Sequence, residues 1–486
     1  MSTTTVKKNT TWVVKPESPE GEYEAPEAAG DFILATDKSA LKPTKETLER
    51  SSLNADLFSD SIRSGIRTVE AGIEVEAKAG SAEGDDPEYG CMLLSAIGPK
   101  TQVTSQITSK SNVKASKVIQ DLTYTSKEDG GNSITITYTD TVNAGDEVAS
   151  HIGNAYSVAI EDGVSTATQV KVAVDALDEL VDVIISGTPG DAQDVITSVG
   201  LLGGFVNTTT TINIANGNIA SFYVGQIVCV LEAGAYHVSP IASKITTTDL
   251  CSITLLIAAE EAFSSGVEIA KVTNYMWSNT SHGSVSVTKY VEDAITETAA
   301  GCKVSSFEIT DFKTGAQPKF NFTMTGTAYT CNVAANPYAG VETYDSSLPT
   351  VALSALVYKD GVQYCVEEVG FKLENTLGQR TTTCNANGIV DQRVTEAKAS
   401  GSLVPYKMSD SVADFTLWTN ATQFSLFAYA ANPTGTEGEF NQIWAIYLPK
   451  CQAVDISEQD KDGLLQNNLS YMVNKDSNGT IHMAFI

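Results

Sequence analysis

Residues 69–78 read VEAGIEVEAK, and their alternation decides the fold class. Val69, Ala71, Ile73, Val75 and Ala77 fall on one side of an extended chain, and Glu70, Gly72, Glu74, Glu76 and Lys78 on the other. A period of two sustained this long predicts a strand with one apolar and one charged face. The pattern recurs where Ile134, Ile136 and Tyr138 alternate with threonines, and where Phe320, Phe322 and Met324 alternate with Asn321, Thr323 and Thr325. Abundant Thr, Ser and Val agree with a mainly β chain.

Working outward, residues 85–98 carry the punctuation of a short helix: Asp85-Asp86 to cap it, Pro87 in its first turn, the body EYGCMLLSAI, and Gly98 to end it. Residues 1–30 are acidic, hold three prolines and lack periodicity, so they are expected to form an extended N-terminal arm. The composition changes near residue 101. Val170, Ala173, Val174, Leu177, Val181 and Ile184 keep helical spacing, predicting a helix from about Thr166 to Ile185 with a Thr166/Gln169 capping box. Residues 203–273 return to short β runs (TTTINIANG, YVGQIVCVLEAG, SITLLIAAEE), as expected of a small barrel or curled sheet.

After Tyr364 the chain replays its opening. Val369, Phe371 and Leu373 answer Phe32-Ile33-Leu34. A looped stretch then leads into a long strand ending SGSLVPY, and residues 409–420 supply a short helix where PEYGCMLLSAI stood. Strands VSVTKYV, GCKVSSFEI and PKFNFTMTGT close the first half, and FSLFAYA, NQIWAIYLP and NLSYMVN the second. The expected organisation is the arm (1–30), a first β-sandwich module with its short helix (31–100 plus 284–327), an inserted α/β domain (101–202), and a small β-barrel-like subdomain (203–283). A linker (328–365) and a second module with the C-terminal strands (366–486) complete it.

With 31 Lys+Arg against 59 Asp+Glu in 486 residues, the chain carries a net charge of −28. So acidic a protein repels a phosphate backbone, which excludes a nucleic-acid reader. Residues 114–200 alone hold fourteen acids and four bases. No run approaches the length of a membrane helix, and the N-terminus lacks a signal-peptide core. The eight cysteines form no CxxC pair and read as reduced, buried thiols. The four histidines (151, 237, 282 and 482) stand apart from metal-ligand or general-base partners, and Ser-elbow, P-loop and dinucleotide motifs are missing. Asp460-Lys461-Asp462-Gly463 fails as a calcium loop, because its glycine comes early and Tyr471 stands where a glutamate is needed. No catalytic residue, metal site or cofactor is expected.

The opening EYEAPEAAGDFILATDKSALKPTKETLERSSL (22–53), the helix PEYGCMLLSAIG (87–98), and VGFKLENTLGQRTTTCNANGIVDQRVTEAKASGSLVPY (369–406) resemble tail tube proteins of long-tailed, siphophage-type bacteriophages. The resemblance covers about 1–100 and 284–486, and residues 203–273 resemble a small β module of such tail proteins. It implies a structural virion protein, made in the host bacterial cytoplasm, that stacks as rings into a hollow tube with an acidic-lined channel for DNA. Partners implied are the chain itself, a tape measure protein and tail terminator or tip proteins, with DNA passing unbound and no membrane contact. The alternative is another virion surface or adhesion β-protein.

Two modules per chain imply trimeric rings of pseudo-sixfold symmetry; a single larger sandwich would need hexameric rings. Residues 101–283 are expected to project outside the tube, where they would obstruct a close-fitting sheath and so favour a non-contractile tail. The loops between paired strands are expected to stack ring on ring. In the first module the candidates are Leu53, Asp56, Leu57, Phe58, Asp60, Ile62 and Arg63. In the second they are Asn385, Ile389, Val390, Asp391 and Arg393. Apolar centres ringed by charge are what a register-setting contact needs.

Overall fold

The structure, a computed structural model, describes residues 10–48, 63–177, 179–232, 235–247, 251–292, 294–345, 347–352, 355–384, 388–408, 411–431 and 442–486. Its first half contains β1 (Thr10–Pro16), β2 (Ala40–Leu48), β3 (Arg63–Glu76), helix α1 (Gly90–Ala96), β4 (Val285–Val291), β5 (Ile295–Thr310), β6 (Lys319–Gly326) and β7 (Ala328–Asn332). Its second half contains β8 (Ala355–Lys359), β9 (Glu368–Thr381), β10 (Ile389–Val404), helix α2 (Ser411–Thr419), β11 (Gln423–Ala431), β12 (Ile443–Lys461), β13 (Leu464–Val473) and β14 (His482–Phe485).

Hydrogen bonding orders the first half β2-β3-β6-β5-β4-β1, with β7 also on β5. It orders the second half β9-β10-β13-β12-β11-β8, with β14 also on β12. Strand for strand the orders agree, and so do their irregularities. The register slips between Val304 and Ser306 where β5 meets β6, and between Ala453 and Asp455 where β12 meets β13. Such bulges bend a strand and raise its twist, so both halves curve at the same place.

One ladder joins the halves: Ser306, Phe307, Glu308 and Ile309 of β5 oppose Glu374, Leu373, Lys372 and Phe371 of β9. The run β2-β3-β6-β5-β9-β10-β13-β12 is therefore continuous. Its inner side is a single apolar cluster in which Val69, Ile73, Phe307, Phe322, Leu373, Leu403 and Tyr471 lie with Met92, Leu93 and Ala96 of α1. The alternation at 69–77 thus does what its period predicts. Helix α1 stops at Ala96 because Gly98 takes a φ of 132°, a conformation that side chains rarely adopt.

Two stretches expected outside the sheets lie within them. Strand β1, from the expected arm, buries Trp12, Val13 and Val14, while Glu17 just beyond it accepts hydrogen bonds from Ser284 Oγ, Ser286 Oγ and the Gly301 N–H. Strands β7 and β8 come from the expected linker.

The stretch between α1 and β4 is one insertion inside another. Strands Lys100–Val103 and Val272–Met276 pair as a stem, and the latter continues onto β14. A six-stranded sheet follows, built from Thr211–Asn213, Ile227–Glu232, Ala235–Thr246, Cys251–Leu255 and Glu268–Ile269, together with Ile107–Thr108 from the far side of the α/β unit. That unit packs helix Ala167–Leu177 between a four-stranded and a three-stranded sheet, and Val113 and Phe205 close its base, each N–H donating to the other's carbonyl at 2.9 Å. The capping box is present, with Thr166 N–H donating to Gln169 Oε1 at 2.8 Å and Gln169 N–H to Thr166 Oγ1 at 3.4 Å. The helix is shorter than its spacing suggested. Val181–Ile185 is a strand on Leu122–Ser126, because Val181 and Val183 also satisfy a period of two and sheet burial wins.

All eight cysteines are free thiols. Cys229, Cys251, Cys302 and Cys451 are buried as expected and Cys91 is half-buried, but Cys331, Cys365 and Cys384 are exposed. Among the described residues no helix is long and apolar enough to cross a membrane.

Candidate assembly surfaces

The outer side of the eight-stranded run is polar because each strand alternates. Across neighbouring strands Lys42 opposes Glu70, Asn321 opposes Glu308, Glu308 opposes Lys372, and Ser402 opposes Ser470. Serines, threonines and asparagine fill the rows between Glu70, Glu308, Glu374 and Asp455, and Lys42, Lys372 and Lys398, while Glu74 is buried against Thr36 and Lys38. Lys372 Nζ lies 2.7 Å from Glu374 Oε1, an exposed pair that raises the lysine's pKa and lowers the glutamate's. The lysines of this face stand among acids and leave no basic track for a phosphate chain to follow.

The long hairpins β2–β3 and β9–β10 point the same way. Leu48 pairs with Arg63 at the last described rung of the first, and Thr381 with Ile389 at that of the second. Leu53, Asp56, Leu57, Phe58, Asp60, Ile62 and Asn385 lie outside the described residues. Of the others, Ile389 is buried, Val390 is open to solvent, and Arg393 is exposed beside Asp391. Ile389 is therefore held within its own chain, leaving Val390 as the outward apolar residue. Arg380 Nε and Nη2 hold Asp391 in a two-pronged bond at 3.1 and 3.0 Å.

Of the chain's five arginines, Arg63, Arg67, Arg380 and Arg393 fall on these hairpins, and Arg50 lies outside the described residues. This was readable in the sequence from the partition of arginine against lysine. The opposite end, set by the antiparallel registers, carries the β5–β6 turn with Asp311 and the tight Lys461–Leu464 turn with Asp460 and Asp462. There Leu464 and Leu465 are exposed, and Lys461 pairs with Glu367. The molecule is thus polar along its hairpins, guanidinium-rich at one end and carboxylate-bearing at the other.

The histidines serve packing or turns. His482 is buried between the rings of Tyr223 and Tyr447, its Nδ1 has no hydrogen-bond partner among the described residues, and desolvation lowers its pKa to about 4. Burial also lowers the pKa values of His237 and His282, which contact the backbone carbonyls of Ile257, and of Ser95 and Ser278. Half-buried His151 meets Glu179, and that bond raises its pKa. Buried Lys78 lies 2.9 Å from the Asp345 carbonyl and 3.4 Å from Glu88, tying the inter-half connection to the first half. Among the described residues no three His, Cys, Asp or Glu side chains group as a metal site.

What this architecture defines is a β scaffold whose chemistry lies in its edges, ends and polar face. The family model for phage tail tube protein matches residues 3–460, and the chain belongs to that family. It is a structural component of the virion tail that self-assembles into the tube. No curated protein matches the chain.

Proposed function

We propose that three chains close a ring of pseudo-sixfold symmetry, that rings stack head to tail, and that the polar face of the eight-stranded run lines a channel for DNA. The repeated strand order, joined across Phe307 and Leu373, carries this reading: each chain supplies two tandem modules, so three chains give six. The unlike ends of the hairpins suit heterologous stacking, which generates an open filament. The lining is mixed but weighted towards acids, and the Debye length of about 8 Å at physiological salt makes it felt by a nearby duplex. A wall without a basic track lets DNA slide.

The role is structural and not enzymatic. The subunit is made in the host bacterial cytoplasm, and its tube meets a tape measure protein inside and terminator or tip proteins at its ends. The nested insertion projects outward, which favours a tail without a contractile sheath. Averaged cryo-EM views down the tube axis test the reading. Threefold density with six similar inner lobes supports it, six identical outer protrusions call for hexameric rings, and compact monomers or spikes favour a surface or adhesion protein.

A further inference from the structure

The two halves share a strand order but not an environment, and the difference is concentrated in one place. In the first half the lower part of β5 is flanked on both sides, by β6 and by β9. Phe307 and Ile309 are buried there, as are their partners Leu373 and Phe371. Helix α1 is covered too: Met92, Leu93 and Ala96 are buried, Ser95 Oγ accepts the Val304 N–H at 3.1 Å, and Asn375 Nδ2 donates to the carbonyls of Ala96 at 2.9 Å and Val304 at 3.2 Å.

In the second half the corresponding stretch of β12 has β13 on one side and no described strand on the other. Matching the two bulges places Asp455, Ile456, Ser457 and Glu458 where Ser306, Phe307, Glu308 and Ile309 stand, and all but Ile456 are exposed. Helix α2 touches the same spot, with Trp418 Nε1 donating to the Val454 carbonyl at 3.2 Å. Yet Val412, Phe415 and Trp418 remain 67%, 38% and 45% exposed, and Val454 49%. At the far end of the run β2 has β3 on one side only. Register through β3 and β10 places its Leu41, Lys42, Pro43 and Thr44 where Phe371, Lys372, Leu373 and Glu374 of β9 stand.

We infer that these two open edges are the complementary sides of one lateral contact, in which β12 and the exposed side of α2 of one chain are covered by β2 of a second copy in the register of the internal β5–β9 junction. This rests on the ring reading above and supplies its side-to-side contact. Asp455 of one chain then opposes Thr44 of the next, Ile456 opposes Pro43, Ser457 opposes Lys42, and Glu458 opposes Leu41. Charge supports the choice of occupant, because Asp455 and Glu458 meet an edge carrying Lys42 and Lys45. Lys45 takes the position of Asn375, from which an ammonium can donate to the carbonyls ending α2. Pro43, in the position of Leu373, brings no backbone N–H, a device that discourages indiscriminate pairing at a free strand edge.

The test uses the full chain carrying Asp455→Cys with Thr44→Cys, and separately Ser457→Cys with Lys42→Cys. Each is assembled, oxidised and run on non-reducing gels beside the single variants and the unmodified chain. Covalent dimers and trimers in the double variants alone are expected. Intact tubes in micrographs whose chains stay monomeric on the gel for both pairs overturn the register while leaving the ring reading standing. An unmodified chain that forms neither rings nor tubes overturns the ring reading and this contact with it. Trp418→Ser is expected to give a folded monomer, by circular dichroism and thermal melting, with at least a tenfold loss of tubes. Undiminished tubes from that variant overturn the part assigned to α2.

Discussion

Phe307 and Leu373 face each other across the ladder that joins the halves, both buried, with Phe307 stacked on Phe322 at 4.9 Å between ring centroids. A contact between halves here belongs to the core of the whole chain, so the halves are expected to unfold together. Leu373→Ala removes buried methyl groups from both sides of the junction and should cost roughly 3 kcal/mol. Chemical denaturation should show one cooperative transition at a lower midpoint; two separated transitions would contradict a shared core.

Ring stacking should depend on the arginine end. Arg380→Glu with Arg393→Glu reverses charge beside Asp391 and Val390 and should leave rings that no longer elongate, by electron microscopy and sedimentation. Adding Asp460→Arg and Asp462→Arg at the opposite end should restore tubes. Leu57→Ser with Phe58→Ser is expected to block elongation in the same way; normal tube lengths from both sets would remove the hairpins from the stacking contact.

The nested α/β unit should be dispensable for assembly. Val113 and Phe205 bridge to each other, so excising the residues between them and closing the gap with a short Gly-Ser linker leaves the six-stranded sheet intact. Tubes of normal inner structure and reduced outer diameter are expected. A soluble variant that forms no tubes would place the unit in a contact between subunits.

Acid should weaken the fold through His482. The unfolded chain takes up a proton near the ordinary value of 6.5, while the folded chain holds this imidazole neutral until about pH 4. Between those values the unfolded state binds more protons, so stability falls as pH drops through the window, by up to about 3 kcal/mol. Comparing denaturant midpoints at pH 7 and pH 4.5 for the native chain and His482→Gln isolates the effect; equal slopes would assign the acid sensitivity to other groups.

Much of the fold was legible because burial on one side of a sheet writes a period of two into the chain, as at Val69–Ala77 and Phe320–Met324. Where period and context conflict, the reading failed: Val181 fits the helical spacing with Ile184 and the strand spacing with Val183, and tertiary pairing decided for the strand, burying Val183 and leaving Ile184 exposed. Strand β1 looked like an arm because its apolar stretch Trp12-Val13-Val14 is short and flanked by lysines and prolines. The nesting was invisible because Ile107–Thr108 is too short to announce itself. For the candidate surface, the hairpins could be named from sequence, but the burial of Ile389 and the openness of α2 depend on which neighbours pack against them.

The placement of the described arginines towards one end of the hairpins gives the molecule a direction. With rings stacked head to tail as proposed, every junction would repeat the same handshake, and the two free extremities would differ chemically. A stopper shaped for one extremity would then not fit the other. Length control can then act at a single terminus, without any further signal to tell the ends apart.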